Sequence, residues 1–294
     1  MSGLFSTEIG IIEEVWRNNS NYLVRNINEN NKKCLILFSS NGLYFPDTKE
    51  IFVEKVIKQN RYEFENITKS KKIEKQFGKI IYVRDVWKSY YVIGINESED
   101  SIDKLIKKLK ELTGGGYRIT TAGISSGGYM AVIAGILLNA EKVLCFSGQF
   151  HHDVSKRTLL QKYENDKDRN KYFDIVELIK ASNVPIVYFY PIRCDNDIKQ
   201  AERVRGLDNM IVLKFDYAEH ANTVLPYNFK YLFGMNVERY RRISSKFGKK
   251  AFRKVEFLIL TGGIEGIVDC LRGMIYLLRK RTRKAVGVDK LVDI

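Results

Sequence analysis

Short apolar runs recur along this chain and alternate with stretches whose apolar positions return every third or fourth residue. The runs at 21–27 (NYLVRNI), 33–39 (KCLILFS), 79–84 (KIIYVR) and 90–95 (YYVIGI) read as strands. From Ser101 to Leu112, apolar residues fall at Ile102, Leu105, Ile106, Leu109 and Leu112, the spacing of a helix face. Ser101 is placed to cap that helix, Asp103 sits in its first turn, and Gly114–Gly116 closes it. A strand then runs to Gly123, and a helix covers Gly127–Leu138. Further strands are predicted at 142–147, 184–190 and 209–215, with a polar helical stretch at 151–183, a short helix at 199–204 and a closing helix at 222–233. The runs at 184–190 (VPIVYFY) and 209–215 (NMIVLKF) are apolar on both sides of the strand, as in a buried parallel sheet. Strand–helix alternation of this kind predicts an α/β fold, a mostly parallel sheet with helices on both faces and ligands at the carboxyl ends of its strands.

One junction in that alternation carries chemistry. Gly123-Ile124-Ser125-Ser126-Gly127 lies between a strand and a helix, the context in which G-x-S-x-G forms a nucleophile elbow. The turn is tight, so the residues two before and two after the serine must be small. The Ser125 hydroxyl then projects from the sheet top, and the Ser126 N–H faces a developing oxyanion. The structural alternative is a glycine-rich connection, one that could hold a phosphate.

A serine hydroxyl at neutral pH needs a base, and the chain has three histidines, His151, His152 and His220. His220 follows a late strand and falls at the same sheet edge as Ser125, which makes it the candidate base. His151 and His152 follow another strand end, where they would line a pocket or lie on the surface. The acid that orients the imidazole is sought in the loop after 184–190, where Asp195 and Asp197 both qualify. Asp197 is preferred because it adjoins the following helix, although Asp197-x-x-Gln200 also has the form of a capping box. Neither the histidines nor the cysteines have metal-site spacing, so no metal is expected.

With serine, acid and histidine in that order, the chain resembles the α/β-hydrolase superfamily over about residues 20–236. The resemblance implies Ser125 as nucleophile, His220 as base and then acid, and Asp197 or Asp195 as orienting acid. It also implies an oxyanion hole made by the Ser126 N–H and a second N–H from Ser40 or Asn41, in a loop that lacks an H-G-G-G run. The cap at 151–183 is short, which argues against a lipase for long acyl chains. The Gly-x-Ser-x-Gly-Gly form and short cap further resemble hydrolase-type proteins of bacterial surface-polysaccharide loci. That resemblance implies an O-acetyltransferase or esterase acting on a glycan or small acyl ester, with acetyl-CoA as a possible donor and no bound cofactor.

Charge adds a second theme. The formal net charge is +14, and residues 237–294 hold 15 Lys and Arg against 6 Asp and Glu. Basic clusters at 239–254 and 279–284 flank the apolar stretch 255–278, which Glu256, Glu265, Asp269 and Arg272 interrupt. Charges near a bilayer midplane oppose spanning, so 237–294 is expected to be a basic, amphipathic, helical appendage. It would lie on an anionic membrane surface or pack on protein, and the basic patch could also attract an anionic glycan or the phosphates of acyl-CoA. A catalytically silent hydrolase fold that binds a membrane or partner through this region is the competing reading. No zinc-finger or RNP-like pattern accompanies the charge, so nucleic acid is not the expected partner. Cys34, Cys145, Cys194 and Cys270 are widely spaced, and the N-terminus lacks a basic segment followed by an apolar one. Together they suggest free thiols in the cytoplasm, with the protein at the inner face of the membrane if the appendage meets lipid.

Overall fold

The computed structural model describes residues 9–152, 158–221 and 223–285. Residues 1–8, 153–157 of the expected cap, Asn222 of the expected closing helix and the tail end 286–294 lie outside the described residues.

Eight strands form one sheet: β1 (Tyr22–Asn26), β2 (Lys33–Phe38), β3 (Lys79–Val83), β4 (Arg118–Ile124), β5 (Lys142–Phe146), β6 (Ile186–Pro191), β7 (Met210–Phe215) and β8 (Ala251–Phe252). Their spatial order is β1-β3-β2-β4-β5-β6-β7-β8. β1 pairs antiparallel with β3, and all other pairings are parallel. Because β3 lies on one side of β2 and β4 on the other, chain direction across the sheet reverses between β2 and β4. Clefts open at the carboxyl ends of strands at such a switch.

Alternation along the strands feeds two cores. Ile36, Phe38, Ile81 and Val83 face one layer, while Leu35, Leu37, Ile80 and Tyr82 face the other. The first layer is covered by α2 (Ile102–Thr113) and α3 (Ser126–Leu137). Ser101 caps α2 as its sequence suggested, accepting from the Lys104 N–H, and Gly114 ends it in the left-handed conformation. α3 is apolar around nearly its whole circumference because it is buried on all sides. A third cluster joins α1 (Ile9–Asn18) to Tyr44, Phe52, Val56 and Val86 through Ile12 and Val15.

Two expectations need correction. Residues 90–95 are not a strand but a buried turn, in which Tyr90 and Tyr91 have positive φ. The Asp85 carboxylate organises it, accepting from the Trp87 and Tyr91 N–H groups and the Ser89 hydroxyl. The closing helix is reduced to a 3₁₀ turn at Pro226–Asn228 and a single helical turn at Phe229–Leu232. The first residues after 236 pack on the same core. α5 (Val237–Phe247) contributes Tyr240 and Ile243 to the second core, β8 extends the sheet beside β7, and Phe257 joins the same cluster. The cap region is built of short helices at Thr158–Gln161, Lys167–Asn170 and Val176–Lys180.

Candidate active site

The Ser125 backbone adopts φ 53° and ψ −117°, a strained conformation for a residue with a side chain. It is locked on both sides. The Ser125 N–H donates to Phe146 O at 2.8 Å, and its carbonyl accepts the first helical bond of α3 from Tyr129 at 3.0 Å. The two flanking glycines have no room for a Cβ. One on Gly123 would lie 2.2 Å from Gly127 O, and one on Gly127 would lie 2.1 Å from Phe38 O. The small residues of G-x-S-x-G are therefore dictated by backbone contacts between β2, β4 and the start of α3.

His220 arrives on the loop after β7, and its Nε2 lies 2.8 Å from Ser125 Oγ. Its Nδ1 lies 2.8 Å from Asp197 Oδ2. The imidazole is 39% exposed, whereas the Asp197 carboxylate is only 1% exposed. Asp197 follows β6 at the third position of α4 (Asp195–Arg203), where the helix N-terminus favours a negative charge.

Serine after β4, acid after β6 and histidine after β7, with the serine on a strained strand-to-helix turn at the switch point, complete the pattern. The chain has the α/β-hydrolase fold.

No protein-family model matches this sequence, and no curated protein sequence matches it. Solved structures resemble its shape at a distance. The capsule O-acetyltransferase of Neisseria meningitidis serogroup A is 11% identical, with 79% of this chain and 93% of that one covered and a TM-score of 0.47. The esterase Pf2001 of Pyrococcus furiosus is 12% identical, with 74% and 81% covered and a TM-score of 0.40. MenH from S. aureus is 12% identical, with 69% and 92% covered and a TM-score of 0.40. Likeness at this level carries nothing about activity or substrate. Strand order and the placement of Ser125, Asp197 and His220 define the hydrolase fold here.

The two candidate acids are separated by burial. Asp195 is the first residue of α4 and is exposed, while Asp197 faces inward onto the histidine. Cys194, not Asp197, is the N-cap, so the capping-box reading of Asp197-x-x-Gln200 does not hold. Gln200 instead braces the loop after β5. Its Oε1 accepts from the Phe150 and His151 N–H groups, and its Nε2 donates to His151 O. The acid and histidine loops are also tied together. The Arg193 N–H donates to Tyr217 O at 3.1 Å, and its guanidinium meets Asp216 at 3.0 Å.

Cys194, Asp197 and His220 place possible ligand atoms within 4.8 Å of one another. Burial, and then a hydrogen bond to Asp197, push the Cys194 thiol above its usual range. The Cys194 thiol donates to the Asp197 carboxylate.

The oxyanion loop holds the least legible part of the site. Ser126 opens α3, so its N–H has no partner in the helical ladder. The Ser40 N–H donates to the Glu63 carboxylate, and the Ser40 hydroxyl donates to the same group at 2.9 Å. Burial raises the pKa of Glu63, and the Ser40 bonds pull it back down. Ser40 is thus a structural anchor with its N–H already engaged. The Asn41 N–H donates to Ser126 Oγ at 2.9 Å, and the Ser126 hydroxyl donates in turn to Asn41 Oδ1 at 2.9 Å. Nothing in the sequence pointed to Glu63, because its partner lies 23 positions away in an irregular segment. His152 is buried with its ring between Tyr90 and Tyr129, at centroid distances of 4.3 and 4.5 Å, and His151 pairs through its backbone with Asp174.

Proposed function

We propose that this chain is a serine-nucleophile acyl-ester enzyme, an O-acetyltransferase or esterase that works on a glycan or small acyl ester through an acyl-enzyme. The observation that carries this reading is the hydrogen-bonded line Ser125–His220–Asp197, two contacts of 2.8 Å ending on a strained serine.

In the proposed reaction, Ser125 Oγ attacks the acyl carbonyl and its proton passes to His220 Nε2. Asp197 fixes the tautomer with the proton on Nδ1 and supports the imidazolium. The carbonyl oxygen, now negative, accepts from the Ser126 N–H. Asn41 supplies the second N–H, its resting bond to Ser126 Oγ giving way to the stronger anionic acceptor. His220 then protonates the departing alcohol or thiol. In the second half a water or a sugar hydroxyl loses its proton to His220, attacks the acyl carbon and releases Ser125. The choice between water and sugar decides between esterase and O-acetyltransferase. Acetyl-CoA is a suitable donor to test because the surface is strongly cationic, with a net charge of +14.

The test is mass spectrometry of the intact protein and its peptides after exposure to acetyl-CoA and, separately, to a simple acetyl ester. The reading predicts an acetyl group on the Ser125 peptide with at least one donor, absent from Ser125→Ala. Absence of the adduct with both donors, in a folded protein that also releases no acetate, would contradict it.

A further inference from the structure

The last described helix, α6 (Lys254–Ala285), has its polarity turned inside out. Its first segment behaves normally, burying Phe257 and Leu258 in the core. At Gly263 the helix kinks, with φ 58° and ψ −139°, and Arg239 donates to the freed carbonyls of Leu260 and Thr261. Beyond the kink, the face turned to the body is small or acidic: Gly266, Asp269 and Gly273 are buried. Asp269 accepts from the Tyr231 hydroxyl and pairs with Lys230, both at 2.5 Å. Glu265 pairs with Lys72, and Gly273 packs against the Tyr227 ring. The apolar residues point outward. Ile264, Ile267, Val268, Leu271, Met274 and Ile275 are all exposed, Ile264 by 82% and Leu271 by 54%. They fall on one helical stripe about 17 Å long.

An apolar stripe facing water needs a cover, and charge selects which one. The three acids of α6 are each consumed by a lysine: Glu256 by Lys250, Glu265 by Lys72 and Asp269 by Lys230. From residue 270 to the end of the helix the sequence has no acid. It has Arg272 and then Arg279, Lys280, Arg281, Arg283 and Lys284. A second copy packed parallel on the stripe would set two cationic runs side by side. We propose that this stripe docks on an anionic lipid surface, its apolar residues entering the acyl–headgroup boundary while the cationic end of the helix meets lipid phosphates. No described helix is long and apolar enough to cross a membrane, and this mode of contact requires none. The proposal is independent of the chemistry at Ser125.

The test is co-sedimentation of the full chain with vesicles of equal parts phosphatidylcholine and phosphatidylglycerol, against vesicles of phosphatidylcholine alone. Binding is expected to the anionic vesicles and to be weaker by about tenfold or more on the neutral ones. A Leu271→Glu, Ile275→Glu double variant should lose it while keeping the wild-type thermal transition. A second variant, Arg279→Gln with Lys280→Gln and Arg281→Gln, should retain the fold and weaken binding by about tenfold or more. Three results would overturn the proposal: no binding to anionic vesicles, binding unchanged in the stripe variant, or a wild-type dimer in light scattering that the stripe variant dissolves.

Discussion

Asn41 and Ser126 hold each other by two bonds, backbone N–H to hydroxyl and hydroxyl to side-chain carbonyl, each 2.9 Å long. The pair joins the loop after β2 to the first turn of α3, beside the strained serine. Asn41 is the first residue of a 3₁₀ turn (Asn41–Tyr44), and Ser40 before it is extended at ψ 171°. Proline is tolerated at such a position. Asn41→Pro should therefore delete the N–H without breaking the 3₁₀ turn, at the cost of both bonds to Ser126, and lower turnover by about 10²–10³-fold. Asn41→Ala, which keeps the N–H, should lose much less. Equal losses in the two variants would remove the backbone donor from the mechanism.

Burial separates the two acids in α4. Asp197→Asn should reduce kcat by about 10⁴-fold, because an amide cannot support the imidazolium. Asp195→Asn should change it by no more than a few-fold, since Asp195 is exposed. Steady-state hydrolysis of an activated acetyl ester measures both, and comparable mild losses would refute the assignment.

At the elbow, Gly127→Ala should fail for a steric reason, because its Cβ would stand 2.1 Å from Phe38 O. Backbone at this crossing cannot shift without moving β2, so a loss of about 1–3 kcal/mol or more is expected. Thermal unfolding measures it, and Gly116→Ala, where a Cβ meets nothing within 4 Å, is the control. A melting temperature equal to wild type for Gly127→Ala would contradict the packing described.

The sequence disclosed the elbow because its constraint is local: Gly123 and Gly127 are small for contacts made within a few residues and one neighbouring strand. β6 was equally legible, since burial on both faces leaves an unbroken apolar run, and β7 kept such a run although alternate residues on it are only half-buried. Residues 90–95 misled because their apolar residues are buried by a turn that Asp85 organises, not by a ladder. β8 was invisible, being two residues long. Ser40 and Asn41 could not be ranked, since the difference between them is Glu63, which a fold rather than a pattern brings near. The inverted face of α6 was hidden too, because amphipathicity in sequence does not say which side meets the body.

Asp85 predicts a pH dependence of stability. Burial lifts its pKa from 3.8 to about 6 despite hydrogen bonds that favour the anion. Between those values the folded chain holds a proton that the unfolded chain has released. Stability from this group is therefore present at acid pH, falls as pH rises from about 4 to about 6, and is constant above, by about 3 kcal/mol in all. Urea unfolding across that range should show wild-type stability falling relative to that of Asp85→Asn as pH rises, whatever the variant's absolute stability. Parallel slopes would show that Asp85 titrates alike in both states.

The central claim is that Ser125 is activated by His220, and covalent capture by a fluorophosphonate probe tests it most directly. The account predicts stoichiometric labelling mapped to the Ser125 peptide, abolished in Ser125→Ala and strongly reduced in His220→Ala. A folded wild-type protein that stays unlabelled, or one that labels equally well without His220, would contradict it.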